Sequence, residues 1–112
     1  MSLVDPDLVA ATRDRLLPEH EASQLTELFR LLGDPTRVRL LYALAEAGEL
    51  CVTDLAAVVG AAETTVSHAL RLLRTAGVVR SRRSGRLVYY ALDDAHVRLL
   101  LDVSAEHLRH SA

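Results

Sequence analysis

The sequence predicts a mainly α-helical fold with one small β-hairpin. Over most of the chain apolar residues recur every three or four positions, the spacing of helices that bury one face. Between residues 78 and 92 the pattern changes to β-branched and aromatic runs broken by a turn signal. Helical spacing returns after Asp93-Asp94. At 112 residues a single domain, 1–112, is expected, with a second excluded by length. Half the residues are hydrophobic, so a core is possible without staples, and a second copy would add to it.

Each element has a local reason. Residues 1–18 read as an arm or short helix, with Leu8, Leu16 and Leu17 among charges and an interruption at Pro18. From Glu19, the spacing of Leu25, Leu28, Phe29 and Leu32 is helical, and Gly33 ends it. Asp34 caps the next helix and Pro35 takes its first position, where a missing N–H costs nothing. Val38, Leu40, Leu41 and Leu44 form its apolar face, and Gly48 stops it. A brief helix from Thr53-Asp54 to Val59 closes at Gly60. A further one from Glu63 to Thr75, with Val66, Leu70 and Leu73 inward, closes at Gly77.

Runs 78–83 and 86–92 then form a hairpin around Ser84-Gly85. The final helix reaches about Arg109, with Val97, Leu100, Leu101 and Leu108 as apolar positions and acids at its start, where the helix dipole favours them. Residues 51–76 are thus a helix-turn-helix, 78–92 a wing, and 94–110 a terminal helix. There are no repeats or low-complexity segments.

Composition narrows the function. One cysteine, Cys51, rules out an intrachain disulfide and fits a reducing cytoplasm. No apolar run approaches the roughly 20 residues that span a bilayer, and no signal-peptide pattern opens the chain. A cytoplasmic protein without membrane partners is expected. The net charge of -2 disfavours nucleic acid at first sight, but the charge is unevenly placed. All thirteen basic residues are Arg. Arg71, Arg74, Arg80, Arg82, Arg83 and Arg86 occupy a stretch without any acid, whereas the first 34 residues hold seven acids against three Arg. Such asymmetry reads as a basic face on an acidic body.

The second helix of the helix-turn-helix would offer Thr64, Thr65, Ser67, His68 and Arg71 outward, toward base edges and phosphates. Arg82, Arg83 and Arg86 on the hairpin would reach an adjacent groove or the backbone. Enzymatic signatures are missing: there is no His-Glu-x-x-His, no phosphate-binding glycine loop and no Ser-His-Asp arrangement in a strand-turn-helix context. No small organic substrate is expected.

Four segments resemble, in order and spacing, motifs of the ArsR/SmtB metal-sensing repressors. They are Leu32-Gly33-Asp34-Pro35-Thr36-Arg37, Glu49-Leu50-Cys51-Val52-Thr53-Asp54-Leu55-Ala56, Thr65-Val66-Ser67-His68-Ala69-Leu70 and Gly85-Arg86-Leu87-Val88-Tyr89-Tyr90. The resemblance covers about residues 19–110. It implies a dimeric winged helix-turn-helix that binds a palindromic double-stranded operator when metal-free. The chain departs from the family at Ala62, where a capping Ser is usual, and at Ala69, where Gln is common.

The final helix holds Asp94, His96, His107 and His110. Alone, a terminal histidine reads as solvated surface and Asp94 as a plain cap. Together, the four resemble the terminal-helix zinc site of the zinc-sensing branch. His107 and His110 are three apart and share a face. His96 and His107 also share a face, but eleven residues separate them by roughly 16 Å, whereas an ion needs ligands about 2 Å away. One straight helix cannot close this site, but two antiparallel copies can, giving two sites per homodimer. Three imidazoles and a carboxylate suit zinc, with nickel or cobalt the alternative if coordination expands. Because the sequence ends two residues past His110, four ligands and zinc are favoured.

Other readings stand beside these. His68 matches a family histidine linked to coupling, and a DNA contact or a simple surface position fits it equally. His20 has no ligand-spaced partner. Cys51 and Asp54 match part of a second family metal site but lack N-terminal cysteines to complete it, so Cys51 reads as structural or vestigial. A thiol- or redox-responsive regulator acting through Cys51 is the metal-independent alternative.

Overall fold

The computed structural model describes residues 2–111. Six helices and three strands follow in the order α1 (Pro6–Arg15), α2 (Glu19–Leu32), α3 (Pro35–Ala47), β1 (Leu50–Cys51), α4 (Val52–Val59), α5 (Glu63–Thr75), β2 (Val79–Ser84), β3 (Leu87–Leu92) and α6 (Ala95–Ser111). The fold is mainly helical with a small antiparallel sheet, as expected. Local chemistry sets the boundaries. Asp34 accepts a hydrogen bond from the Arg37 backbone N–H at 3.0 Å with Pro35 in the first turn, so α3 starts where the cap allows. Gly60 adopts φ 68°, a left-handed turn that lets α4 stop and α5 leave at an angle. Ala62 begins α5 without a side-chain cap, consistent with the missing Ser.

The sheet corrects the sequence reading. It has three strands, ordered β1-β3-β2, where only a hairpin was expected. Leu50 pairs with Tyr90 and Cys51 with Tyr89, a bridge too short to leave an alternating pattern. The hairpin loop is Gly85-Arg86 between the paired Ser84 and Leu87, one position later than expected. Gly85 holds φ 61°, and glycine at the first of two loop positions is the choice of type II′ turns.

One core joins α3, α4, α5 and the sheet. Leu40, Leu41 and Leu44 meet Leu55, Val59, Val66, Leu70 and Leu73, with Val78, Val79 and Tyr90 closing it below. Arg39 reaches from α3 to the Val59 carbonyl at 2.9 Å and satisfies an acceptor at the end of α4. Helix α6 docks on this body through buried Leu101 and half-buried Val97, whereas Leu100 and Leu108, the other apolar positions named from its spacing, are exposed. Helices α1 and α2 bury no residue. Leu8, Leu16, Leu25 and Phe29 stay exposed there, as do Leu99 and Val103 on α6. The radius of gyration is 18.4 Å, against about 13 Å for a compact domain of roughly 100 residues.

Candidate functional site

Helix α5 divides cleanly. Val66, Ala69, Leu70 and Leu73 are buried, so Thr64, Thr65, His68 and Arg71 are exposed and Ser67 is half-buried at the edge. These are the residues that the spacing placed outward, and the hydrophobic stripe fixes their direction. The start of α5 and the wing frame a groove of about 340 Å³ lined by Thr53, Glu63, Thr64, Ser67, Arg86 and Val88, among others. Three hydroxyls, one Arg and the Glu63 carboxylate thus line a single face, and hydroxyls and Arg are groups that bond phosphate and base edges.

The arginine strip is not uniform. Arg74 donates to the Ser81 hydroxyl at 3.1 Å, joining α5 to β2, and Arg80 reaches the Asp93 carbonyl at 3.4 Å. Arg82, expected to face DNA, is engaged within the protein. Its Nε and Nη2 donate to the two Glu49 carboxylate oxygens at 2.9 and 2.6 Å, and its guanidinium lies 4.7 Å from the Tyr89 ring centre. The Arg82 hydrogen bonds hold the Glu49 carboxyl below the usual carboxylate range. Among the described residues, Arg71, Arg83 and Arg86 have no side-chain hydrogen bond or ion pair. Sequence reading missed Glu49 and Tyr89, though both lie in segments it quoted, because no spacing rule links position 49 to 82.

In α6 the two halves of the expected ligand set lie at opposite ends. Asp94 accepts backbone N–H bonds from His96 at 2.9 Å and Val97 at 3.1 Å through Oδ1, and Oδ2 stands 3.7 Å from His96 Nδ1. The Val97 bond first, then that of His96, holds the Asp94 carboxyl below its ordinary value. His110 Nε2 lies 3.5 Å from Glu106 Oε1. His96 and His110 have side chains 94% and 78% exposed, which leaves their rings reachable from outside the chain. Among the described residues of one chain, no three His, Cys, Asp or Glu gather where they would hold an ion. Cys51 is buried at the start of α4, and Asp54 is exposed in its first turn. His20 is exposed on α2.

Residues 34–81, which run from the cap of α3 into β2, match the family described as bacterial regulatory protein, arsR family. A transcriptional repressor SmtB homolog from Synechocystis sp. is 45% identical over 109 residues, covering 97% of this chain and 82% of the relative. The chain belongs to the arsR family of bacterial regulators. Within that family it is also 41% identical over 96 residues to a cadmium resistance regulatory protein CadC homolog of Staphylococcus aureus, covering 86% of this chain and 79% of the relative. The crystal structure of the AntR antimony-specific transcriptional repressor superposes with a TM-score of 0.78 at 35% identity, covering 99% of this chain and 97% of that one. As a member of this family of transcriptional repressors, the chain is a DNA-binding regulator and not an enzyme. No helix among the described residues is long and apolar enough to cross a membrane.

Proposed function

We propose that this arsR-family chain is a cytoplasmic zinc-responsive repressor that binds operator DNA as a metal-free homodimer. Zinc bound between the terminal helices of two subunits releases it. The observation that carries this reading is the split in α6. Asp94 and His96 stand at its start and His107 and His110 near its end, and among the described residues of one chain no three His, Cys, Asp or Glu gather where they would hold an ion. A complete set therefore needs two chains. The apolar residues that α1, α2 and α6 leave exposed are the surface for such an association.

The donors fit zinc: three imidazoles and one carboxylate, with Asp94 Oδ2 clear of the cap that occupies Oδ1. Zinc would supply a tie between the start of one α6 and the end of its partner. Residues 1–18 then serve as the N-terminal arm, 51–76 with Thr64, Thr65, Ser67, His68 and Arg71 as the DNA reader, 78–92 as the wing, and 94–110 as the dimerisation and metal-binding helix. Cys51 and Asp54 play no part in the zinc site. A ligand lowers DNA affinity only by preferring the state that binds DNA poorly, so the two subunits must be placed differently with and without the ion.

The test is a titration of the protein on the DNA immediately upstream of its own coding sequence, with and without zinc, with nickel and cobalt in parallel. Zinc is expected to weaken binding for the natural chain and to leave His96→Ala and His107→Ala unaffected. Unchanged or stronger binding with zinc would refute release. Nickel or cobalt acting where zinc does not would reassign the metal.

A further inference from the structure

We infer that Arg82 is a wing-positioning residue, a brace that sets the angle of the hairpin tip against DNA through Glu49 and Tyr89, and not a phosphate contact. The sheet topology is the starting point. Strand β1 pairs only through Leu50 and Cys51, so the last rung with three strands is Cys51, Tyr89 and Arg82. Beyond it the hairpin continues as two strands through Arg83, Ser84, Leu87 and Val88 to the Gly85-Arg86 loop. Two-stranded ribbons twist more freely than wider sheets. The tip is thus a cantilever rooted at residue 82.

At that root the Arg82 guanidinium crosses the Tyr89 ring and grips both Glu49 oxygens. The planar fork makes the contact directional, which an ammonium cannot reproduce. Glu49 precedes β1, whose Cys51 begins α4, the first helix of the helix-turn-helix. The brace therefore relates the wing to the DNA-reading helices rather than to the strand beside it alone.

The inference rests on the wing facing DNA, and one experiment separates the two. The metal-free full chain is titrated across a salt series on a duplex of the DNA upstream of its coding sequence, using Glu49→Gln, Arg82→Lys and Arg86→Ala. Simple Coulomb attraction predicts that Glu49→Gln, which deletes an acid, tightens binding. It also predicts that Arg82→Lys, which keeps the charge, changes nothing. The brace predicts the reverse: each weakens binding by roughly fivefold with an unaltered salt slope, and the double variant is no worse than either single one. Arg86→Ala is expected to lower the salt slope by about one. Glu49→Gln binding at least as tightly as the natural chain, or Arg82→Lys retaining full affinity, would overturn the brace while Arg86→Ala still reports a wing on DNA. Arg86→Ala without effect on affinity or slope would overturn the wing reading and the brace with it.

Discussion

The Tyr42 phenol donates to the Leu101 carbonyl at 2.7 Å, joining α3 to α6 across 59 positions of sequence. Leu101 is also the residue of α6 that enters the core. Leu101, with half-buried Val97, therefore anchors a helix on which Leu99, Leu100, Val103 and Leu108 are exposed. Removing the hydroxyl in Tyr42→Phe is expected to cost about 1 kcal/mol. Truncation in Leu101→Ala is expected to cost about 2–5 kcal/mol. Urea unfolding at fixed protein concentration measures both, and a neutral Tyr42→Phe would show that the bond does not anchor α6.

Asp94 caps α6, and in the proposed site it is also a metal ligand. Asn caps helices as well as Asp does, but it lacks the anionic oxygen of a metal ligand. Asp94→Asn is therefore expected to keep the helix content of α6 and lose zinc affinity, whereas Asp94→Ala loses both. Circular dichroism melts and a zinc competition titration distinguish them. Equal loss of helix in both variants would remove the cap from the account.

Glu49 carries a pH signature. Its carboxyl is held below the ordinary value of 4.5 by the Arg82 hydrogen bonds first and by charge attraction second. The folded value is depressed, so the pair's contribution is fully present above about 4.5 and is lost as pH falls through the lower folded value. Carbon-detected NMR should place the Glu49 midpoint below 4.5 in the natural chain and return it toward 4.5 in Arg82→Ala. A midpoint that does not move between the two would mean the pair is absent in solution.

The six arginines of the strip should separate by salt dependence. Arg71, Arg83 and Arg86, which make no internal side-chain bond among the described residues, are each expected to lower the salt slope of DNA binding by about one when changed to Ala. Arg74→Ala and Arg80→Ala, whose side chains bond to Ser81 and the Asp93 carbonyl, should change it less. A uniform effect across all five would refute this division.

Self-association should depend on the exposed face of α6. Leu99 and Val103 are 60% and 55% exposed and four positions apart, hence on one side of the helix. Replacing both with Glu is expected to convert a sedimenting dimer to a monomer and to abolish the zinc response. A natural chain that sediments as a monomer at working concentration would remove the shared site.

Much of the fold was legible from single segments. Asp34-Pro35 starts α3, Gly48 and Gly60 stop helices, and Val66, Leu70 and Leu73 turn α5, because these effects act between residues within four positions of each other. The outward face of α5 followed from the same stripe. Strand β1 was not legible, since two residues cannot show an alternation. Nor was the exposure of Leu100 and Leu108, because a helix with several apolar rows does not say which row meets the body.

The sequence by itself determined the helices, the wing and the separation of Asp94 and His96 from His107 and His110 on α6, for which the helical rise is enough. Tertiary structure decided which arginines of the strip bond within the protein. Arg82 met Glu49, 33 positions away, only once β1 had folded beside β3, and Tyr42 reached Leu101 only once α6 had docked on α3. Local hydrogen bonding is encoded in spacing along the chain. Contacts between distant segments are set by how the buried faces fit together, and no short window of sequence contains that.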